Sequence, residues 1–192
     1  MVEDYYRTLS SVEHWGDYVL SKKDINRIYY SLSKDENCYA YKTDSHEIFS
    51  IKDAVNKRIY SDDINYILVT EYVTECDMVV FSKIEKNLIC NLNGKYKSAI
   101  YLQRLERCQY NEYKWLEDNM IQLKIFIPQG SKMYLSKEYK RKNVKFFLLP
   151  EGSKLVVVRT NPESKNGDIN CVLLSDGMNI AYGSKTDYRQ KM

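Results

Sequence analysis

The spacing of apolar residues divides the chain near residue 76. Before that point the repeat is helical: Tyr5, Leu9, Val12 and Trp15 fall on one face, as do Ile25, Ile28, Tyr29 and Leu32, and again Ile64, Ile67, Leu68 and Tyr72. This period predicts three helices. Ser61 stands where the last would take its N-cap, and Asp62 and Asp63 follow at the positive end of that helix dipole. Residues 35–50 keep neither period and read as an irregular connection. From residue 78 the pattern shortens into β-runs at 78–84, 121–127, 144–149, 155–159 and 170–174. Pro128-Gln-Gly, Pro150-Glu-Gly and Asn166-Gly-Asp supply turn chemistry between them. Helices first and strands after predict an α+β fold.

Composition narrows the picture. With 192 residues and 44% hydrophobic content, the chain can bury one substantial core but not two. It reads as a single domain, 1–192, with a helical part over about 1–75 and a β-rich part over about 76–192. A net charge of +3 gives no electrostatic case for nucleic acid or an anionic membrane. The dense basic run, Lys137, Lys140, Arg141, Lys142 and Lys145, reads as a solvated loop. No Lys/Arg-led apolar segment and no 18-residue apolar run occur, so neither a signal peptide nor a transmembrane helix is expected.

Five cysteines, Cys38, Cys76, Cys90, Cys108 and Cys171, form no C-x-x-C pair and stand with only two histidines. That predicts no metal site and no disulfide framework, and a reducing, cytoplasmic compartment. His14 beside Trp15 reads as a helix residue. Asp44, Ser45 and His46 are consecutive, and three adjacent residues cannot converge as a catalytic triad. Cys90 and Cys108 have no histidine nearby and read as structural.

Residues 121–158 hold the most specific pattern: an apolar strand, Ile127-Pro-Gln-Gly-Ser-Lys132, a connection, then Leu148-Leu-Pro-Glu-Gly-Ser-Lys-Leu155. This resembles the C-terminal half of ADP-ribosyltransferases of the clostridial binary-toxin type, the iota-toxin and vegetative insecticidal protein group, which carry I-P-x-G-x-K and L-L-x-x-G-[ST]-K-[FL]. Upstream, Glu13-His-Trp15 with Leu20-Ser-Lys-Lys resembles the family's opening helix pair, and Asp63-Ile-Asn65 falls near where those helices close. Residues 78–83, MVVFSK, resemble its V-V-[YF]-R strand. The resemblance spans the chain and implies N-terminal helices followed by two packed, mostly antiparallel small sheets.

The family's reaction breaks the bond between nicotinamide and ribose through an oxocarbenium-like state, which needs a carboxylate beside the sugar. The family supplies a Glu two residues after another Glu or Gln, just before L-L-x-x-G. In register with Leu148 and Leu149, those positions are Val144 and Phe146, and no E-x-E or Q-x-E occurs anywhere. The arginine that would grip the pyrophosphate is replaced by Ser82, with Lys83 beside it and turned to the opposite face by strand alternation. Of the ordering Ser-Thr-Ser strand only Ser98 remains, in Lys97-Ser98-Ala99-Ile100.

The resemblance therefore implies a catalytically degenerate scaffold without a cofactor, acting as a protein-binding module or effector, in the host cytoplasm if viral or delivered from bacteria. An alternative is an active mono-ADP-ribosyltransferase that takes NAD through Lys83 and Ser98 and uses a noncanonical acid such as Glu138. A third reading is an unrelated α+β structural or nucleic-acid-binding protein. The expected partner surface is Tyr101, Arg104, Arg107, Tyr110, Tyr113 and Trp115, where cations and aromatic anchors interleave.

Overall fold

A computed structural model describes residues 12–31, 38–50, 53, 66–87, 99–102, 104–136, 145–160 and 168–174. Its elements are a 3-10 helix, Val12–Tyr18; one α-helix, α1, Lys22–Ser31; and eleven strands. These are β1 Cys38–Lys42, β2 Glu47–Ser50, β3 Tyr66–Val73, β4 Met78–Glu85, β5 Ala99–Tyr101 and β6 Glu106–Cys108. The remainder are β7 Met120–Ile127, β8 Lys132–Ser136, β9 Phe147–Leu149, β10 Lys154–Thr160 and β11 Ile169–Leu174. They form a five-stranded sheet, β4-β7-β11-β10-β5, and a six-stranded sheet, β2-β1-β3-β8-β9-β6. All pairs are antiparallel except β7 with β11.

The strands of the five-stranded sheet alternate between two buried faces. Met78, Val80, Leu123, Ile125, Ile127, Leu155, Val157, Cys171 and Leu173 point into the core shared with the other sheet. Val79, Phe81, Phe126, Val156, Val158, Val172 and Leu174 point outward. That outer face is covered by the 3-10 helix, whose Trp15 lies 5.5 Å from the Phe126 ring. Burial on both sides explains why these strands read as nearly continuous apolar runs.

The six-stranded sheet gives the shared core Tyr72, Met133, Leu135, Phe147 and Leu149. Its outer face is a smaller cluster of Tyr41, Val69, Leu105, Phe146 and Leu148. Helix α1 closes the shared core with Ile25 and Ile28. Its N-terminus is capped reciprocally: the Asp24 amide donates to Ser21 Oγ at 3.1 Å, and the Ser21 amide donates to Asp24 Oδ2 at 3.0 Å.

The chain passes between sheets after β7 and after β9 through the same device. The Ser131 amide donates to the Pro128 carbonyl, and the Ser153 amide to the Pro150 carbonyl, each at 3.2 Å. The third residue of each turn is glycine at positive φ, Gly130 at 83° and Gly152 at 80°, as a type II turn requires. The predicted turns at 128–130 and 150–152 thus perform the crossovers.

The N-terminal half departs from expectation. The helix expected over Ile64, Ile67, Leu68 and Tyr72 is strand β3, paired on one side with β1 and on the other with β8. Ile67 and Val69 face outward while Thr70 and Tyr72 are buried on the opposite side, so a period of two underlies spacings that also fit a helix. The supposed irregular connection is the β1–β2 hairpin. Of the three expected helices, α1 forms on the predicted Ile25–Ile28 face, and 12–18 is a 3-10 turn. Residues 1–11 and the Ser61, Asp62 and Asp63 cap lie outside the described residues. The β-rich half forms as expected at 78–85, 120–127, 154–160 and 169–174; of the strand expected over 144–149 only Phe147–Leu149 forms among the described residues, and β5, β6 and β8 are unforeseen. No described helix is long and apolar enough to cross a membrane.

Candidate functional site

The two sheets meet along a seam where β6 runs out toward β4. Phe81 and Gln109 exchange both backbone hydrogen bonds at 2.8 Å, joining an edge of one sheet to an edge of the other. Beside this bridge opens a cleft of 260 Å³, lined by Arg107, Cys108, Gln109, Tyr110, Asn111, Tyr113, Lys145 and Phe146.

Ser82 lies under the seam, fully buried. Its Oγ meets both the Glu106 carboxyl and, at 3.0 Å, the Arg107 carbonyl oxygen. A hydroxyl has one proton and cannot satisfy two acceptors. Its proton is therefore shared between the Glu106 carboxyl and the Arg107 carbonyl. Burial raises the Glu106 pKa, opposed more weakly by the Ser82 hydrogen bond and the Arg104 charge. Lys83, next in the strand, points away from Ser82 as alternation predicts, pairing with Glu117 at 3.2 Å and lying 5.9 Å from the Tyr113 ring.

Phe146, buried, forms one wall of the cleft. The Arg107 guanidinium lies 4.4 Å over its ring, and Tyr41 packs on it at 6.1 Å. Its backbone is held as firmly: the amide donates to Ser136 Oγ at 3.0 Å, and the Tyr29 hydroxyl donates to its carbonyl at 3.3 Å. Lys145 Nζ donates to Asn26 Oδ1 at 2.7 Å and lies 5.3 Å from the Tyr29 ring, tying the cleft rim to α1. Ser98, Val144 and Glu138 lie outside the described residues.

The expected partner-surface residues separate into groups. Arg107, Tyr110 and Tyr113 line the cleft. Buried Gln122 positions this loop, accepting from the Tyr113 amide at 2.8 Å and donating to Asp168 at 2.7 Å. Burial, and then the nearby Cys108 and Glu106, push the Tyr113 hydroxyl up to about 12. Arg104 is exposed and outside the cleft lining. Tyr101 sits on β5, the far edge of the five-stranded sheet, under Lys154 at 5.5 Å. Trp115 is 73% exposed and outside the cleft lining.

Sequence reasoning missed Glu106, Tyr41 and His46 as members of this neighbourhood. The one signal was Glu106 itself, a carboxylate between Leu105 and Cys108 in a run short enough to be a buried edge. His46 Nδ1 meets the Tyr41 hydroxyl at 2.8 Å, while Ser45 Oγ donates to Glu47, so 44–46 make no triad. Cys108 is buried, its thiol pushed well above the usual range, and is no nucleophile. Among the described residues no group of His, Cys, Asp and Glu could hold a metal ion, and Cys76, Cys108 and Cys171 form no disulfide.

No family model and no curated protein matches the sequence. Among solved structures, the fold is similar to the C3larvin toxin, an ADP-ribosyltransferase from Paenibacillus larvae. The likeness has a TM-score of 0.35 and 12% identity, covering 90% of this chain and 86% of that one. The orthorhombic form of the same toxin aligns at TM-score 0.34 and 11% identity, over 90% and 94% of the two chains. The type III effector XopAI from Xanthomonas axonopodis pv. citri aligns at TM-score 0.35 and 12% identity. That match covers 55% of this chain and spans 45% of the effector chain. At TM-scores this low the likenesses carry no argument, and the functional reading rests on the residues.

Proposed function

We propose that this chain is a catalytically degenerate ADP-ribosyltransferase-like scaffold that works by binding a protein. The observation that carries the reading is Phe146. At the position aligned with the family's carboxylate stands a buried aromatic ring with the Arg107 guanidinium 4.4 Å above it. An oxocarbenium-like state has no anion to lean on there, and a cation faces it instead.

Ser82 supports the same reading. The position aligned with the pyrophosphate-gripping arginine is a buried hydroxyl engaged with Glu106 and the Arg107 carbonyl. A core shared by both sheets supports one domain over 1–192. An odd number of cysteines supports a reducing compartment, the host cytoplasm if the chain is a delivered effector.

The test incubates the purified protein with labelled NAD and a host-cell lysate, alongside direct titration of NAD. The expected result is no transferred label and no saturable NAD binding. Protein-dependent transfer of label would overturn the reading in favour of an enzyme with altered residues.

A further inference from the structure

The cleft at the seam is lined by cations and hydrogen-bond donors, and among the described residues no carboxylate lines it. Arg107 reaches it from β6 and Lys145 from the residue before Phe146, so each of its two walls carries one positive charge. The Arg107 guanidinium lies 4.4 Å over the Phe146 ring, which sets it beside the backbone that carries Lys145. Arg107 is exposed and Lys145 half-buried, so both are within reach of a ligand. Phe146 is buried and serves only as the platform beneath Arg107.

Uncharged groups orient these cations. Asn26 Oδ1 accepts from Lys145 Nζ at 2.7 Å and the Tyr29 ring lies 5.3 Å from it, which aims the ammonium without neutralising it. The ion pairs among the described residues belong to Arg27, Lys42 and Lys83, and Arg107 makes none of them. Glu106, the acid adjacent to Arg107, is turned to the opposite face of β6 by strand alternation and is tied to Ser82 under the seam. Glu112 and Glu117 stand outside the lining.

The rest of the lining has the same polarity. Gln109 Nε2 donates to the Asn111 carbonyl at 2.8 Å, fixing the turn that brings Asn111 to the cleft. The Tyr113 amide is held by Gln122 at 2.8 Å, and burial first of all pushes the Tyr113 hydroxyl up to about 12. A phenol that stays protonated can donate.

We propose that this cleft recognises a phosphorylated side chain of a protein partner, with Arg107 and Lys145 holding the phosphoryl group from its two walls. That role rests on the reading of the chain as a protein-binding module and gives the module its ligand. A phosphomonoester offers three terminal oxygens and about two negative charges, enough to take the planar Arg107 fork on one side and Lys145 on the other. A carboxylate has one charge and two oxygens in one plane, and serves one wall at a time. The bridging phosphates of a dinucleotide carry one charge each and fall short in the same way.

The test follows the Arg107 side-chain Nε–H resonance of the full, isotope-labelled chain by NMR, assigned by its loss in Arg107→Lys. The probes are acetylated, amidated Gly-X-Gly peptides with phosphoserine, serine or glutamate at X, together with inorganic phosphate and NAD, all at matched ionic strength. The phosphoserine peptide is expected to shift the resonance saturably and to bind about tenfold more tightly than the other probes. Arg107→Lys, followed through the Asn111 amide, and Lys145→Gln should each weaken that binding about tenfold. Asn111→Asp, an exposed change that puts a carboxylate into the lining, should abolish it while amide resonances far from the cleft stay in place. No saturable shift, equal binding of the glutamate peptide, or unchanged affinity in all three variants would overturn the inference. So would displacement of the phosphopeptide by NAD, or tighter binding of inorganic phosphate, which would assign the cleft to a small phosphorylated molecule. If the phosphopeptide does not bind and NAD stays inert, this inference alone falls, whereas transfer of label from NAD removes the binding-module reading itself.

Discussion

The five-stranded sheet and the six-stranded sheet share one core but spend their other faces differently. The first buries its outer face under the 3-10 helix in a second apolar layer built on Phe126, Val156 and Val172. The second covers its outer face with a smaller cluster around Tyr41 and Phe146 and sets the Arg107 guanidinium over the Phe146 ring. Apolar packing dominates the outer face of one sheet, and aromatic and charged contacts mix on that of the other. A wholly apolar strand supports packing, whereas a strand that mixes aromatic and charged side chains can present a site held by its backbone.

The contrast can be broken most strongly at Phe126. Phe126→Ala should cost about 3–5 kcal/mol in urea unfolding, as removal of a buried aromatic does, while Ile48→Ala on the outer face of the six-stranded sheet should cost clearly less. Equal losses would refute the division of labour.

Next come the two crossovers. A Cβ at Gly130 or Gly152 meets no atom within 4 Å, so Gly130→Ala and Gly152→Ala isolate the penalty of positive φ. Each should cost about 1–2 kcal/mol. A much larger loss at one turn would mean that its sheet depends on the connection more than the other does.

Smaller still is the proton under the seam. Glu106 has a folded-state pKa raised above 4.5, mainly by burial. Its stabilising contribution is therefore complete below the unfolded value and is lost as pH rises through the folded one. Glu106→Gln, which keeps the neutral hydrogen bonding, should match the parent in acid and exceed it at neutral pH in thermal unfolding. A variant less stable at neutral pH would assign the group a required negative charge. The smallest effect belongs to the exposed Lys83–Glu117 pair, where Lys83→Met should leave the unfolding midpoint unchanged within error.

The same contrast explains what could be read from the sequence. Strands β4, β7, β10 and β11 announce themselves because both faces are buried, so nearly every residue is apolar. Strands β1 and β2 carry one modest apolar face, and only the pairing of β2 with β1 and of β1 with β3 makes them strands. In β3 itself, Ile67, Leu68 and Tyr72 satisfy a helical spacing, and the choice is made by partners far along the chain. At the site, Ser82 and Phe146 were located through short motifs. Glu106 and His46 were not, because they reach the neighbourhood through contacts of β6 and of the β1–β2 hairpin that no local period encodes.

The parallel pairing of β7 with β11 sets an order of assembly during synthesis. Strand β11 separates β7 from β10, so the five-stranded sheet has no continuous centre until residue 174 is free to pair. Until then a nascent chain offers the unpaired backbone edge of β7 to any other extended strand. A ribosome that stalls before β11 therefore releases an aggregation-prone fragment rather than a smaller working protein.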